Sequence, residues 1–212
     1  MAFDFKKEYK AYYLPPRKPE LIEIPQMHFL AVRGKGDPNA AEGAYQQALA
    51  KLYAVAYTLR MSQRAGKMIA GFYEYVVPPL EGLWQQSGTE DGGLDYSRKQ
   101  DLEWISMIRL PDFITEADVL WAMTAAEQKK KLSCADVEFF TYDEGLCAQV
   151  MHHGSYDSEP ETIQQMQQFI AEHGCAADHT ASRLHHEIYL SDPRRTAPEK
   201  LKTVIRIPVR RI

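Results

Sequence analysis

Apolar residues follow two rhythms along the chain, one helical and one extended, and their order predicts the architecture. Met27 to Arg33 is rich in β-compatible residues and runs into Gly34-Lys35-Gly36, which predicts a strand closed by a turn. Tyr45, Leu49, Leu52, Ala56 and Leu59 then recur at steps of four, three, four and three, the spacing of one helix face; Asp37 offers a cap and Pro38 suits a first turn. Met68 to Val77 reads as a strand stopped by Pro78-Pro79, and Glu103 to Leu110 as another stopped by Pro111. Thr115 and Asp118 have capping-box spacing for a helix near 115–131, and Lys129, Lys130 and Lys131 suit its C-terminal pole. Val137 to Tyr142 and Gly145 to His152 are predicted strands. A turn at Gly154 leads to a helix capped by Ser158, with Glu161 reaching back, Ile163, Met166 and Ile170 buried, and Gly174 at its end. Leu184 to Leu190 and Lys202 to Val209, separated by Ser191-Asp192-Pro193, finish the chain as strands.

Each half thus reads strand, glycine turn, helix, strand, loop, strand. This predicts an α+β fold of duplicated strand-helix-strand-strand modules, about 21–111 and 135–212, joined by the 115–131 helix. Residues 1–20, charged and holding Pro15, Pro16 and Pro19, are expected to form an arm with little regular structure. FYEYVV ends at Pro78 much as HHEIYL ends before Ser191-Asp192-Pro193, which sets Glu74 and Glu187 at equivalent points. Helices on the outer faces would leave the opposite sheet face free for a central ligand groove.

Composition narrows the classes. A chain that is 45% hydrophobic and 25% charged is ordinary for a globular protein. Its formal charge of -4 gives no general attraction for phosphate backbones, so no direct nucleic-acid partner is expected. No apolar run is long enough for a membrane span, and the N-terminal residues lack the core of a signal peptide, so a cytoplasmic protein is expected. Cys134, Cys147 and Cys175 form an odd set without Cys-x-x-Cys spacing and are expected free. Twelve tyrosines, eight phenylalanines and three tryptophans exceed the needs of a core this size, so some are expected to line a ligand site. Adjacent histidines such as His152-His153 and His185-His186 point to opposite faces of a strand and cannot chelate one ion; no metal and no cofactor is expected. Phosphate-loop and nucleophile-elbow patterns are missing too.

The run HHEIYLSDPRRTAPEKLKTVIRIPV, His185 to Val209, with HHGSYDSEPETIQQMQQFI, PPLEGLW and WISMIRLPDF, resembles the GyrI-like small-molecule-binding proteins over most of the chain from about Leu21. The resemblance implies a groove between two modules with a central acid, matched by Glu187, and aromatic walls. Relatives include effector domains of multidrug-responsive regulators, a gyrase inhibitor, and stand-alone proteins of bacterial type that hydrolyse cyclopropane-bearing alkylators in detoxification. No helix-turn-helix pattern precedes the repeat in this sequence, so a DNA-linked regulatory role is not expected. Implied partners are planar apolar or cationic small molecules, with gyrase the interaction alternative and the state monomer or homodimer.

In the predicted strand, Glu187 shares a face with His185 and Tyr189, while Leu184, Ile188 and Leu190 mark the core face. A carboxylate among aromatic rings attracts a lipophilic cation or takes a proton from water; the plain alternative is a solvated Glu. Tyr156, after Gly154, is a candidate donor to a ligand carbonyl or a cover for the helix start. Trp84, in what reads as an irregular stretch, is the candidate stacking residue. Trp104 and Trp121 read as core, Trp104 being kept as a second wall. Glu81 and Glu103 are reserve carboxylates that also read as surface charge. Arg194, Arg195, Lys200, Lys202, Arg206 and Arg210 read as a solvated edge.

Overall fold

Residues 2–89 and 93–212 are described in a computed structural model. Nine antiparallel strands form one mixed-length sheet: β1 (Glu20–Ile24), β2 (Met27–Lys35), β3 (Leu80–Gln86), β4 (Leu102–Arg109), β5 (Glu138–Tyr142), β6 (Gly145–His153), β7 (Cys175–Ala177), β8 (His185–Tyr189) and β9 (Lys202–Arg211). Their order is β1-β6-β9-β8-β3-β4-β2-β5, with β7 added against β9. The ladders Glu20↔Gln149 to Ile24↔Gly145 and Met27↔Tyr142 to Ala31↔Glu138 continue one another across Pro25-Gln26 and Asp143-Glu144. Two residues span at most about 7 Å. These short links therefore bring opposite ends of the sheet together and curl it around an inner face.

Helices α3 (Ala44–Arg60), α4 (Glu116–Lys130) and α5 (Glu159–Glu172) cover the other face. Ala48, Leu52, Val55, Ala56 and Leu59 of α3 pack with Leu30, Val32, Trp84 and Trp104, and α4 adds Val119, Ala122 and Ala126. Met166 and Ile170 of α5 pack with Ala148, Val150, Ile205 and Ile207. The inner face is filled by Phe29, Ala31, Leu83, Met107, Tyr142, Cys147 and Leu184. No helix of the described residues is long and apolar enough to cross a membrane. All three cysteines are free and buried.

The Thr115–Asp118 capping box is present as the spacing predicts. Other expectations are corrected. Residues 68–77 form no strand; Phe72 and Tyr75 pack as loop aromatics near Phe113, and Tyr75 makes only an isolated bridge to Phe3. The strand lies beyond Pro78-Pro79 instead, in Leu80–Gln86, where Gly82 and two glutamines masked it. Asp37 does not cap α3, which begins after Gly43; its carboxylate accepts from the Asn39 N–H in a preceding turn. Ser158 precedes α5 without a side-chain cap, because its hydroxyl donates to the Ser155 carbonyl at 2.7 Å. The arm also forms two helical turns, α1 (Phe5–Glu8) and α2 (Lys10–Tyr13), fixed by burying Phe5 and Tyr13.

Candidate functional site

β3 and β8 are central neighbours whose five-pair ladder, Leu80↔Tyr189 to Trp84↔His185, is centred on Gly82↔Glu187. A two-fold axis through that central pair carries Trp84 onto Tyr189 and Glu81 onto His186. Gly82 is therefore the counterpart of Glu187. Glu74 is not: it is exposed in the loop and pairs with Arg60 at 3.1 Å.

Side-chain alternation puts His185, Glu187 and Tyr189 on one face, as read from the sequence, and the β3–β8 register sets Trp84 beside them. That face carries the helices rather than lying free. The sheet face opposite the helices is not a free groove wall, since Ile188 and Leu190 turn toward the arm. Trp84 is on a regular strand and 5% exposed.

The geometry around Glu187 fixes the direction of its hydrogen bonds. Trp84 Nε1 donates to the Tyr189 hydroxyl at 2.8 Å, and an indole N–H only donates. The Tyr189 proton then goes to Glu187 Oε2 at 2.7 Å. His185 Nε2 stands 3.2 Å from Glu187 Oε1. Glu187 is itself 5% exposed. Thus a nearly buried carboxylate is held at both oxygens, with an indole fixing its phenol donor.

Two half-buried tyrosines complete the walls. Tyr45 of α3 tilts against Trp84 with ring centres 5.7 Å apart and meets Trp104 edge-on at 5.1 Å. Tyr156 meets Tyr189 edge-on at 5.8 Å. Burial, then the carboxylates of Glu159, Glu187 and Asp192, push the Tyr156 phenol up to about 12. Burial and Glu187 likewise raise Tyr45 and Tyr189, so all three phenols keep their protons in the working range.

Four candidate residues, Glu187, Tyr189, His185 and Trp84, are brought together by direct hydrogen bonds, and Tyr156 joins them through its ring. Trp104 lies behind Tyr45, 3% exposed, as a core residue. Glu81 is buried on the opposite face, and Glu103 is paired with Lys35 and Gln85 at the surface. Trp121 is partly buried under Lys67. Tyr45 escaped sequence reading because its place on the α3 stripe made it look like core. Arg206 was misplaced on a solvated edge: it is 2% exposed and paired with Glu144. Its parity with Val204 and Pro208 was the available signal. Among the described residues no group of three or more His, Cys, Asp or Glu is placed to hold a metal ion.

The GyrI-like small molecule binding domain matches residues 17–210. The chain belongs to the GyrI-like family. Two solved structures from Listeria innocua share this GyrI-like fold over the whole length. One, described as a hydrolase, is 43% identical with TM-score 0.88, covering 98% of this chain and 100% of its own. The other, an uncharacterized conserved protein, is 45% identical with TM-score 0.91 and the same coverage. The EcmrR C-terminal domain shares the fold at 14% identity and TM-score 0.56, covering 92% of this chain and 98% of its own. No curated protein sequence matches significantly.

Proposed function

We propose that this GyrI-like protein binds planar, largely apolar molecules over Glu187 and adds water across the strained cyclopropane of DNA-alkylating compounds. The observation that carries this reading is the directed chain from Trp84 through Tyr189 to Glu187, which holds a nearly buried carboxylate among aromatic rings. The 43% identity over 98% of the chain to a protein described as a hydrolase supports it.

In the proposed reaction, Glu187 takes a proton from water while the water oxygen attacks the cyclopropane carbon. The ring C–C bond breaks, its electron pair moves into the conjugated carbonyl, and that oxygen takes a proton from solvent as Glu187 gives up the one it took, so that one water is added overall. Tyr156 donates toward the developing charge, and Trp84 and Tyr45 hold the flat ring system in register. Water is the only co-reactant. Because Glu187 is 5% exposed, entry requires side chains packed around it to move.

A second reading is sequestration without turnover, favoured by one observation: both Glu187 oxygens already accept bonds from within the chain. A carboxylate so held complements a lipophilic cation without acting as a base. Gyrase interaction is the third alternative. Mass spectrometry of a cyclopropane-bearing alkylator after incubation decides among them. A water adduct that depends on Glu187, and is lost in Glu187→Gln, supports hydrolysis; saturable Trp quenching without adduct supports sequestration; gyrase binding with neither supports interaction.

A further inference from the structure

Directly behind Glu187, on the inner face of β8, stand ionisable side chains that take no part in the aromatic seam. His186 is 1% exposed, with Nδ1 2.8 Å from Glu144 Oε1 and Nε2 3.0 Å from Glu81 Oε2. The other oxygen of each carboxylate is also engaged: Tyr13 donates to Glu81 Oε1 at 3.2 Å, and Arg206 Nη1 to Glu144 Oε2 at 3.2 Å. The ring lies between two carboxylates, with Glu144 held down by His186 and Arg206, so both imidazole nitrogens carry hydrogen and donate. Two carboxylates, one imidazolium and one guanidinium then form a neutral buried tetrad. It ties β3, the β5–β6 turn, β8 and β9 together, and Tyr13 of the arm to all of them.

We infer that His186 is a positioning residue for Glu187, locking β8 from its inner face so that the carboxylate keeps its bonds to Tyr189 and His185. This rests on Glu187 being the working carboxylate of the proposed function. His186 and Glu187 are consecutive in a five-residue strand, so any rotation or shift that seats the ring in its two-carboxylate clamp also sets the aim of the neighbouring side chain. The two-fold axis relates Glu81 to His186, so their bond crosses the same strand pair that holds Gly82 and Glu187.

The groups facing His186 are Glu81 from β3, Glu144 from the β5–β6 turn, Arg206 from β9, Tyr13 from α2 and the Tyr142 ring from β5, edge-on at 6.3 Å. Arg109 of β4 lies beyond Tyr13, against the Phe5 and Tyr9 rings. Burial opposes the charge on His186, but Glu144 and Glu81 outweigh it and raise the ring to about 9. Tyr13 and Tyr142 are raised by burial and keep their protons through that range. Above it, His186 loses one of its two donors and the clamp opens.

The test is the pH dependence of turnover of a cyclopropane-bearing alkylator by the full chain, together with quenching by an acridine dye, for wild type, His186→Gln and Glu81→Gln. Wild type should lose turnover through one ionisation near pH 9. At pH 7, His186→Gln should lose about tenfold in kcat, with KM and dye affinity within about threefold, because misaimed groups lose rate before binding. Its alkaline limb should vanish, and in Glu81→Gln the limb should move to lower pH. A wild-type profile flat to pH 10, or a folded His186→Gln with unchanged kcat and limb, overturns the inference. If His186→Gln does not fold, the direction of the Glu81→Gln shift decides. If wild type binds dye without turnover, hydrolysis fails, and the clamp is read in Trp fluorescence of the free protein: a change through about pH 9 in wild type that is lost in His186→Gln keeps the positioning role, and its absence removes it.

Discussion

Gly82 lies directly opposite Glu187 at the centre of the β3–β8 ladder. The absent side chain makes room for the site. A Cβ at position 82 would stand 2.7 Å from Trp84 Nε1 and 3.1 Å from the Tyr189 hydroxyl. Gly82→Ala should therefore push the indole off the phenol, at a cost of about 1–3 kcal/mol in stability from overpacking. Dye affinity should fall by about tenfold or more, with a shift in Trp emission. Unchanged affinity and emission would show that the Trp84–Tyr189 bond does not shape the ligand seam.

Tyr189 and Tyr156 should separate by role. Tyr189→Phe removes a donor from Glu187 and leaves the buried Trp84 N–H unsatisfied, a cost of about 1–3 kcal/mol. Without that donor the Glu187 carboxylate loses one of its two anchors, so Tm and kcat should fall together. Tyr156→Phe should keep stability and dye affinity but lower kcat by about 10²–10³-fold. Comparing Tm, dye affinity and kcat for both variants checks this; a Tm loss of equal size in the two would remove the distinction.

Much of the site was legible because period-two alternation is a local property. It put His185, Glu187 and Tyr189 on one side of a strand without any structure. Trp84 was harder, since the preceding aromatic run 68–77 has a better strand composition than Leu80–Gln86, and long-range pairing with β4 and β8 overrode local preference. That displacement carried the false equivalence of Glu74 with Glu187. The helix-bearing side of the sheet was misread because both faces are covered: Leu184, Ile188 and Leu190 look like a helix-packed core but meet the inner cluster and the arm. The buried tetrad could be suspected from charges at core parity, His186 between Leu184 and Ile188 and Glu81 two before Leu83. Its pairing with Glu144 and Arg206 depends on sheet curling, which no local pattern encodes.

Stability should peak in a defined pH window. Glu144 is opposed by burial, but His186 and Arg206 hold it down at about 2 from an ordinary value of 4.5. Its contribution is present above about pH 4.5 and lost as pH falls through about 2. His186 has the opposite sign: raised from 6.5 to about 9, it contributes fully below about 6.5, and the contribution is lost as pH rises through 9. The Tm should therefore be highest between about 4.5 and 6.5 and decline on both sides. His186→Gln should flatten the alkaline decline, as scanning calorimetry across pH 3 to 10 would reveal. An alkaline decline of undiminished size in that variant assigns it to another group.

Arg206 should behave as an integral part of a buried network rather than a surface cation. Its Nη1 meets Glu144 and its Nε meets Gln149 Oε1 at 3.1 Å, both in the interior. Arg206→Met leaves Glu144 with His186 as its one remaining charged partner and strips Gln149 of a donor, so it should cost about 3–5 kcal/mol. Glu144→Gln alone removes the negative partner and leaves two buried cations facing each other, which should also be costly. The double variant removes one charge of each sign. It keeps Glu81 paired with His186, so its cost should fall short of the sum of the singles by about 1–3 kcal/mol. A double-mutant cycle in urea measures this coupling. If the two losses add within about 0.5 kcal/mol, the pair contributes independently and the tetrad is not a single energetic unit.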